Sequence, residues 1–292
     1  LVDICTATLI IARLIFPHGR FSILKRFSLF AGVYTALFSA ATWALDSNLS
    51  DDQTALEQVV LPEMAAISDV QEKKSTFFQF LNPIVEAMNQ KVQAERAWLK
   101  LIEVQINQGL DLELWQSSLL AELGQYYKVD EEPGSNEFFR AMYRRVDVIP
   151  ASLVLAQAAN ESAWGTSRFA TEGNNLFGQW CFTKGCGLVP SGRDSSARHE
   201  VKVFDSIAAS VAAYFRNLNT HHQYGELRTI RSEMRFLGLP IDSTYLAWGL
   251  EGYSIRGELY IRELIDMIQH NRLQNLDQPA YYARNDVQIV AD

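Results

Sequence analysis

Cysteine is scarce in this chain, with three in 292 residues, and Cys5 falls in an apolar leader. Only Cys181 and Cys186, in "WCFTKGCG", are left for the body of the protein. Two cysteines cannot build a disulfide scaffold, and a zinc site would need two further ligands where only His199 is near. The chain also lacks a G-x-S-x-G nucleophile elbow, a Walker-type phosphate loop and a zinc-protease helix motif, so no cofactor or metal is expected. Positive charge is short as well. Lys and Arg total 26 against 34 Asp and Glu, which excludes nucleic acid as a natural partner, because that binding depends on neutralising phosphates.

What is present begins with the leader. Lys25 and Arg26 precede the apolar run "FSLFAGVYTALFSAATWA", which ends in small residues. This order of charge, apolar run and small residues predicts a signal peptide over residues 1–44, cleaved after Ala44 with Thr42 at −3. The alternative is an uncleaved anchor, the one route to membrane contact. The stretch upstream, "LVDICTATLIIARLIFPHGR", adds a second apolar run broken by Arg13 and reads as lying ahead of the true start. Taking the leader's four basic residues and one acid from the totals leaves 22 positive and 33 negative side chains, a net of −11. Export would place Cys181 and Cys186 in an oxidising compartment, where a disulfide closing a small loop is expected; a reduced pair is the alternative.

Residues 45–135 form a helical region, with helical pattern from Asp51 to about Tyr127. "FFQFLNPIVEAMNQKVQAERAWLKLIEVQINQG" repeats apolar residues at helical spacing through Phe80, Ile84, Met88 and Val92, with Pro83 in an early turn or at a kink. "DLELWQSSLLAELGQYY" predicts a second helix with Asp111 as N-cap. "VDEEPGSNEFF" marks a break, and helical pattern resumes over 136–145. Pro150 suits the first turn of a helix through "ASLVLAQAANES". An irregular stretch follows, then the alternating strand "HEVKVF" and two amphipathic helices. The division is thus a leader (1–44), a helical region (45–135), a mainly helical domain with a small β insertion (136–275) and a tail (276–292).

"LAQAANESAWGTSRFATEGNNLFG" carries the chemistry. A mostly apolar helix ends in one carboxylate, Glu161, with Gln157 one turn before it as a candidate to bind the substrate. Poor solvation and the negative end of the helix dipole both favour the neutral acid, the form a general acid needs.

This segment resembles the one carrying the catalytic glutamate in bacterial β-N-acetylglucosaminidases of the lysozyme superfamily, which include flagellar and cell-separation autolysins acting on peptidoglycan. The family's "AQ-x-x-x-ES-x-WG" and "NN-L-F-G" both stand here at the expected separation. The resemblance continues through "VKVFDSIAASVAAYFRNL" and "YSIRGELYIRELIDMI" and covers about residues 136–272. It implies a mainly-α, lysozyme-like helical domain with a small β-lobe, preceded by an all-α region. It further implies Glu161 as the acid protonating the glycosidic oxygen, Tyr253 and Tyr260 lining the cleft, and peptidoglycan glycan strands as substrate in the periplasm or outside the cell.

The second catalytic group stays open. Relatives carry a β-lobe acid shortly before the strand, where this chain reads "VPSGRDSS" without their "T-E-Y". Asp194 and Glu200 are the nearest candidates; otherwise the substrate's own 2-acetamido group assists. Asn174 and Asn175 can bind sugar or hold their loop, Phe177 suits a turn beneath the cleft, and Trp180 offers a face to a sugar ring. Two other readings keep the same cleft: a non-catalytic glycan-binding or assembly protein, and a muramidase or lytic transglycosylase.

Overall fold

The computed structural model describes residues 58–193, 197–254 and 256–277. The leader and the greater part of the expected tail lie outside them. Among the described residues no helix is long and apolar enough to cross a membrane.

The fold is mainly helical. Helix α1 (Val70–Asn107) opens where the Asp69 carboxylate accepts the Glu72 amide at 2.8 Å. It starts earlier than the apolar repeat suggests, so Pro83 stands well inside a continuous 38-residue helix rather than near its start. Its buried stripe, including Phe77, Leu81, Ile84, Val85, Val92, Leu99 and Ile102, follows the helical period. Helix α2 (Leu114–Tyr126) is capped by Glu113, whose amide donates to Gln116 Oε1 at 2.8 Å, and not by the expected Asp111.

Helix α3 (Asn136–Arg145) begins at Ser135, whose hydroxyl accepts the Phe138 amide. Helix α4 (Ala151–Glu161) follows directly on Pro150, and every residue from Ala151 to Ala159 is buried. The short α5 (Arg168–Gly173) leads to a three-stranded antiparallel sheet, β1 (Trp180–Cys181), β2 (Gly187–Leu188) and β3 (Glu200–Lys202), in the order β1-β3-β2. Trp180 pairs with Val201, and Gly187 with Lys202. Helices α6 (Ile207–Thr220), α7 (Gly225–Phe236), α8 (Ser243–Leu246) and α9 (Glu258–His270) complete the chain, with 3₁₀ turns at His222–Tyr224, Ala247–Tyr253 and Leu273–Leu276. This is the mainly-α, lysozyme-like plan with a small β-lobe.

Helix α4 is the centre. It packs against α1, α8, α9 and the last 3₁₀ turn, and one apolar core runs from Met64 to Leu273. Three polar devices fix its N-terminal end. Asn89 of α1 is fully buried and exchanges two bonds with Ile149, donating to its carbonyl at 2.9 Å and accepting its amide at 3.0 Å. Asp147, also buried, meets Arg235 in a two-pronged pair at 2.8 and 3.1 Å, with Arg96 and Arg231 close by. Asp277 accepts the Ser152 amide at 2.8 Å and its hydroxyl at 2.7 Å, so the expected tail starts with residues built into the fold. The devices together fix the N-terminal end of the helix whose last residue is Glu161.

Candidate active site

Beyond Glu161 the chain turns sharply. Ala163, Trp164 and Gly165 take φ values of 51°, 61° and 77° in succession. Left-handed backbone costs a residue with a side chain roughly 1–2 kcal/mol, so the surroundings must impose it. The Ser162 hydroxyl donates to the Ala158 carbonyl at 2.6 Å and accepts the Gly165 amide at 2.8 Å, while the Trp164 amide donates to Ala159 at 2.9 Å. The Trp164 ring is then held edge-on by Phe77 and Phe78 of α1, at centroid distances of 6.0 and 5.3 Å. A side chain at Gly165 would crowd Met64, Leu61 and Phe77.

Glu161 is largely buried, and burial raises its carboxyl above the ordinary range. Two groups oppose the rise: the Tyr260 hydroxyl, hydrogen-bonded to the carboxylate, and the Arg256 guanidinium. Tyr214 of α6, Tyr224 and Tyr253 of the 3₁₀ turns and Tyr260 of α9 all feel its charge. Burial and that charge push the Tyr260 phenol far up; burial first, then the carboxylate's charge, brings Tyr224 to about 12. The setting is therefore a half-withdrawn carboxyl ringed by neutral phenols, able to hold a proton at a pH where an exposed glutamate has lost it.

Glu161 faces the Asn-Leu-Phe-Gly loop. Gly178 has φ 63°, and a Cβ there would stand 3.8 Å from Glu161 Oε2. The Asn175 amide is spent on its loop and on β3, and Asn174 gives one donor to the segment after β3. Asn174, at φ 51°, donates to the Phe204 carbonyl at 2.9 Å. Asn175 donates to the carbonyls of Gln179 and Lys202 and accepts the amides of Phe177 and Gln179. Phe177 is buried and stacks on Tyr214 with centroids 4.0 Å apart, and its carbonyl accepts the Tyr253 hydroxyl at 2.9 Å. Tyr253 in turn stacks flat on Tyr260, 5.6 Å apart with planes 2° from parallel. Gln157 is fully buried, its amide taken up by Tyr214 and Tyr260, so it is not available to a sugar.

In the β-lobe, Cys181 and Cys186 form a disulfide. Their sulfurs and a Glu200 oxygen lie within 4.8 Å of one another, but with both sulfurs bonded the group offers a cation a single carboxylate. Glu200 is buried on β3. Its two oxygens accept the Gly185 amide at 3.1 Å and the Gly187 amide at 2.9 Å, and these bonds hold its carboxyl below the ordinary range. That carboxylate braces the hairpin. Trp180 is exposed and carries His199 flat against its ring at 4.0 Å. Asp194 lies outside the described residues.

The glucosaminidase family model, described as mannosyl-glycoprotein endo-beta-N-acetylglucosaminidase, matches residues 136–273, which contain Glu161, the four tyrosines and the β-lobe. Protein bax of Escherichia coli (strain K12) is 32% identical over 213 residues, covering 73% of this chain and 74% of that protein. The chain is a Bax-like member of the glucosaminidase family. No solved structure matches it.

For this glucosaminidase-family chain, the structure brings Glu161, Gln157, Phe177, Tyr253 and Tyr260 together. It sets Trp180 and Glu200 in the neighbouring lobe, commits the buried Asn175 to scaffolding and ties Asn174 to Phe204 by one bond. Sequence reasoning passed over Tyr214, Tyr224 and Arg256. Tyr214 sits on the buried side of an amphipathic helix, where a tyrosine reads as core; nothing local marks its reach to a residue 57 positions away.

Proposed function

We propose that the chain is a peptidoglycan hydrolase of the β-N-acetylglucosaminidase type, cutting β-1,4 linkages beside N-acetylglucosamine, with Glu161 as general acid. The observation that carries this reading is the Glu161 carboxyl at the end of a buried helix, raised by burial and met by the Tyr260 hydroxyl. Glycoside cleavage passes through an oxocarbenium-like state and needs a proton for the leaving oxygen, which such a carboxyl supplies. The family match favours a glycan substrate and action beyond the cytoplasm, in the periplasm or outside the cell.

The lobe's Glu200 is occupied by hairpin amides, which leaves Asp194 or the substrate's own 2-acetamido group as our candidate for stabilising the sugar cation. The same observation favours a second reading, a lytic transglycosylase, in which one carboxyl also suffices and the sugar's own hydroxyl replaces water. Digestion of purified peptidoglycan followed by mass spectrometry separates the two. Reducing N-acetylglucosamine ends support the hydrolase, anhydro ends support the transglycosylase, and wall binding with no released product would leave a non-catalytic glycan-binding protein. Folded Glu161→Gln protein that still clears a cell-wall zymogram would overturn the assignment of the acid.

A further inference from the structure

The phenol beside Glu161 is the end of a buried polar chain. Tyr214 donates its hydroxyl proton to Gln157 Oε1. Gln157 Nε2 donates to the Tyr260 oxygen at 2.9 Å, and the Tyr260 hydroxyl lies beside the Glu161 carboxyl, which it lowers. Tyr214, Gln157 and Tyr260 are each 2% exposed or less, so water does not substitute for any link. Each phenol has one proton to give. Tyr260 can give its own to Glu161 only while it accepts from the Gln157 amide nitrogen. That orientation turns the Gln157 carbonyl toward Tyr214, which must then be the donor.

We propose that Tyr214 is a positioning residue for the reaction: by donating to Gln157 it fixes the amide's orientation and thereby aims the Tyr260 proton at Glu161. This rests on the reading of Glu161 as general acid. With Tyr260 bound to one carboxyl oxygen, the acidic proton resides on the other, and its direction is fixed. Without Tyr214 either orientation of the Gln157 amide leaves one buried end unpaired, so the amide is no longer held in one orientation and the rotated form, whose carbonyl takes the Tyr260 proton, is populated. In that form Glu161 loses its donor.

The groups facing Glu161 are Tyr214 on α6, Tyr224 and Tyr253 on the 3₁₀ turns, Tyr260 on α9 and Arg256 just before α9. The four phenols are all pushed above their ordinary value. A change in the alkaline limb of activity below pH 9 therefore reports Glu161.

The test compares Tyr214→Phe, Gln157→Met and the double variant by pH–rate profile on soluble peptidoglycan fragments, with melting curves run alongside. Tyr214→Phe keeps the stack on Phe177. It is expected to move the alkaline limb upward and to lower kcat on the order of tenfold, part of what a general acid contributes, with KM unchanged. Gln157→Met removes the competing acceptor as well as the donor, so Tyr260 still reaches Glu161. The limb should move less than in Tyr214→Phe although the change is closer to the acid, and the double variant should match Gln157→Met. A Tyr214→Phe limb equal to wild type, or a double variant that shifts further than either single one, overturns the relay. Should Tyr214→Phe fail to fold, a Gln157→Met limb that moves up as far as that of Tyr260→Phe overturns it instead. An inactive wild type, or an active Glu161→Gln, overturns the underlying reading of the acid, which is a separate outcome.

Discussion

The Trp164 indole stands edge-on to Phe78, ring centroids 5.3 Å apart and planes at 68°. One ring follows Glu161 by three residues and the other comes from the first turns of α1, so the N-terminal helix holds the strained turn beside the acid. Phe78→Ala removes a nearly buried ring and should destabilise the fold by about 3 kcal/mol, at the low end for such deletions. It should also lower turnover on the order of tenfold at temperatures where the variant is fully folded, because misplacing a catalytic group is costly. Phe78→Leu should restore most of both. Turnover of the alanine variant that falls only in step with its folded fraction would show that the clamp stabilises without positioning.

Asp147 gives a stability prediction of a different kind. Its carboxylate is buried, yet Arg96, Arg235 and Arg231 outweigh the burial and hold its titration well below the carboxylate range. Its contribution is present above the unfolded carboxylate value, near 3.8, and is lost only as pH falls through the depressed folded value. Stability from this cluster should therefore be flat between pH 5 and 8. Asp147→Asn leaves the buried Arg231 guanidinium without the charge of Asp147 and should cost about 3–5 kcal/mol, measured by urea denaturation.

These two predictions mark where the sequence could and could not be read. The helix over 136–145, the helix after Pro150, the carboxylate at its end and the cysteine pair were legible because each is set by residues within a few positions: Ser135 as a cap, an apolar period, a short Cys spacing. Gln157 was expected to meet sugar, and it meets two tyrosines from α6 and α9 instead. Glu200 could be named as a lobe acid, but only the folded hairpin reveals that the amides of Gly185 and Gly187 take both its oxygens. Roles set by partners far along the chain, like that of Tyr214, leave no local pattern.

Glu200 separates a catalytic carboxylate from a structural one. With its oxygens holding the hairpin, Glu200→Gln keeps one acceptor and loses the charge. Turnover on soluble fragments should fall less than about tenfold, well short of the 10²–10⁴ that acid–base catalysis supplies. The same substitution should make the Cys181–Cys186 bridge matter more, so that reduction with a thiol loosens the lobe further in Glu200→Gln than in wild type, read as Trp180 fluorescence. A loss of turnover as complete as in Glu161→Gln would make Glu200 the second catalytic group.

Glu161 itself should be a site where function opposes stability. Burial raises its carboxyl, so the folded state disfavours the ionised form. The group's contribution to stability is complete at pH below the unfolded glutamate value and is lost as pH rises through the raised folded one. Glu161→Gln is neutral at every pH. It should melt with wild type near pH 4 and above wild type at pH 7 to 8, the gap opening across the range in which the acid titrates. Melting curves at matched ionic strength measure this directly, without substrate. If wild type proves the more stable protein at pH 8, the Tyr260 bond and Arg256 outweigh burial, and Glu161 would then be ionised at the pH where a general acid must carry its proton.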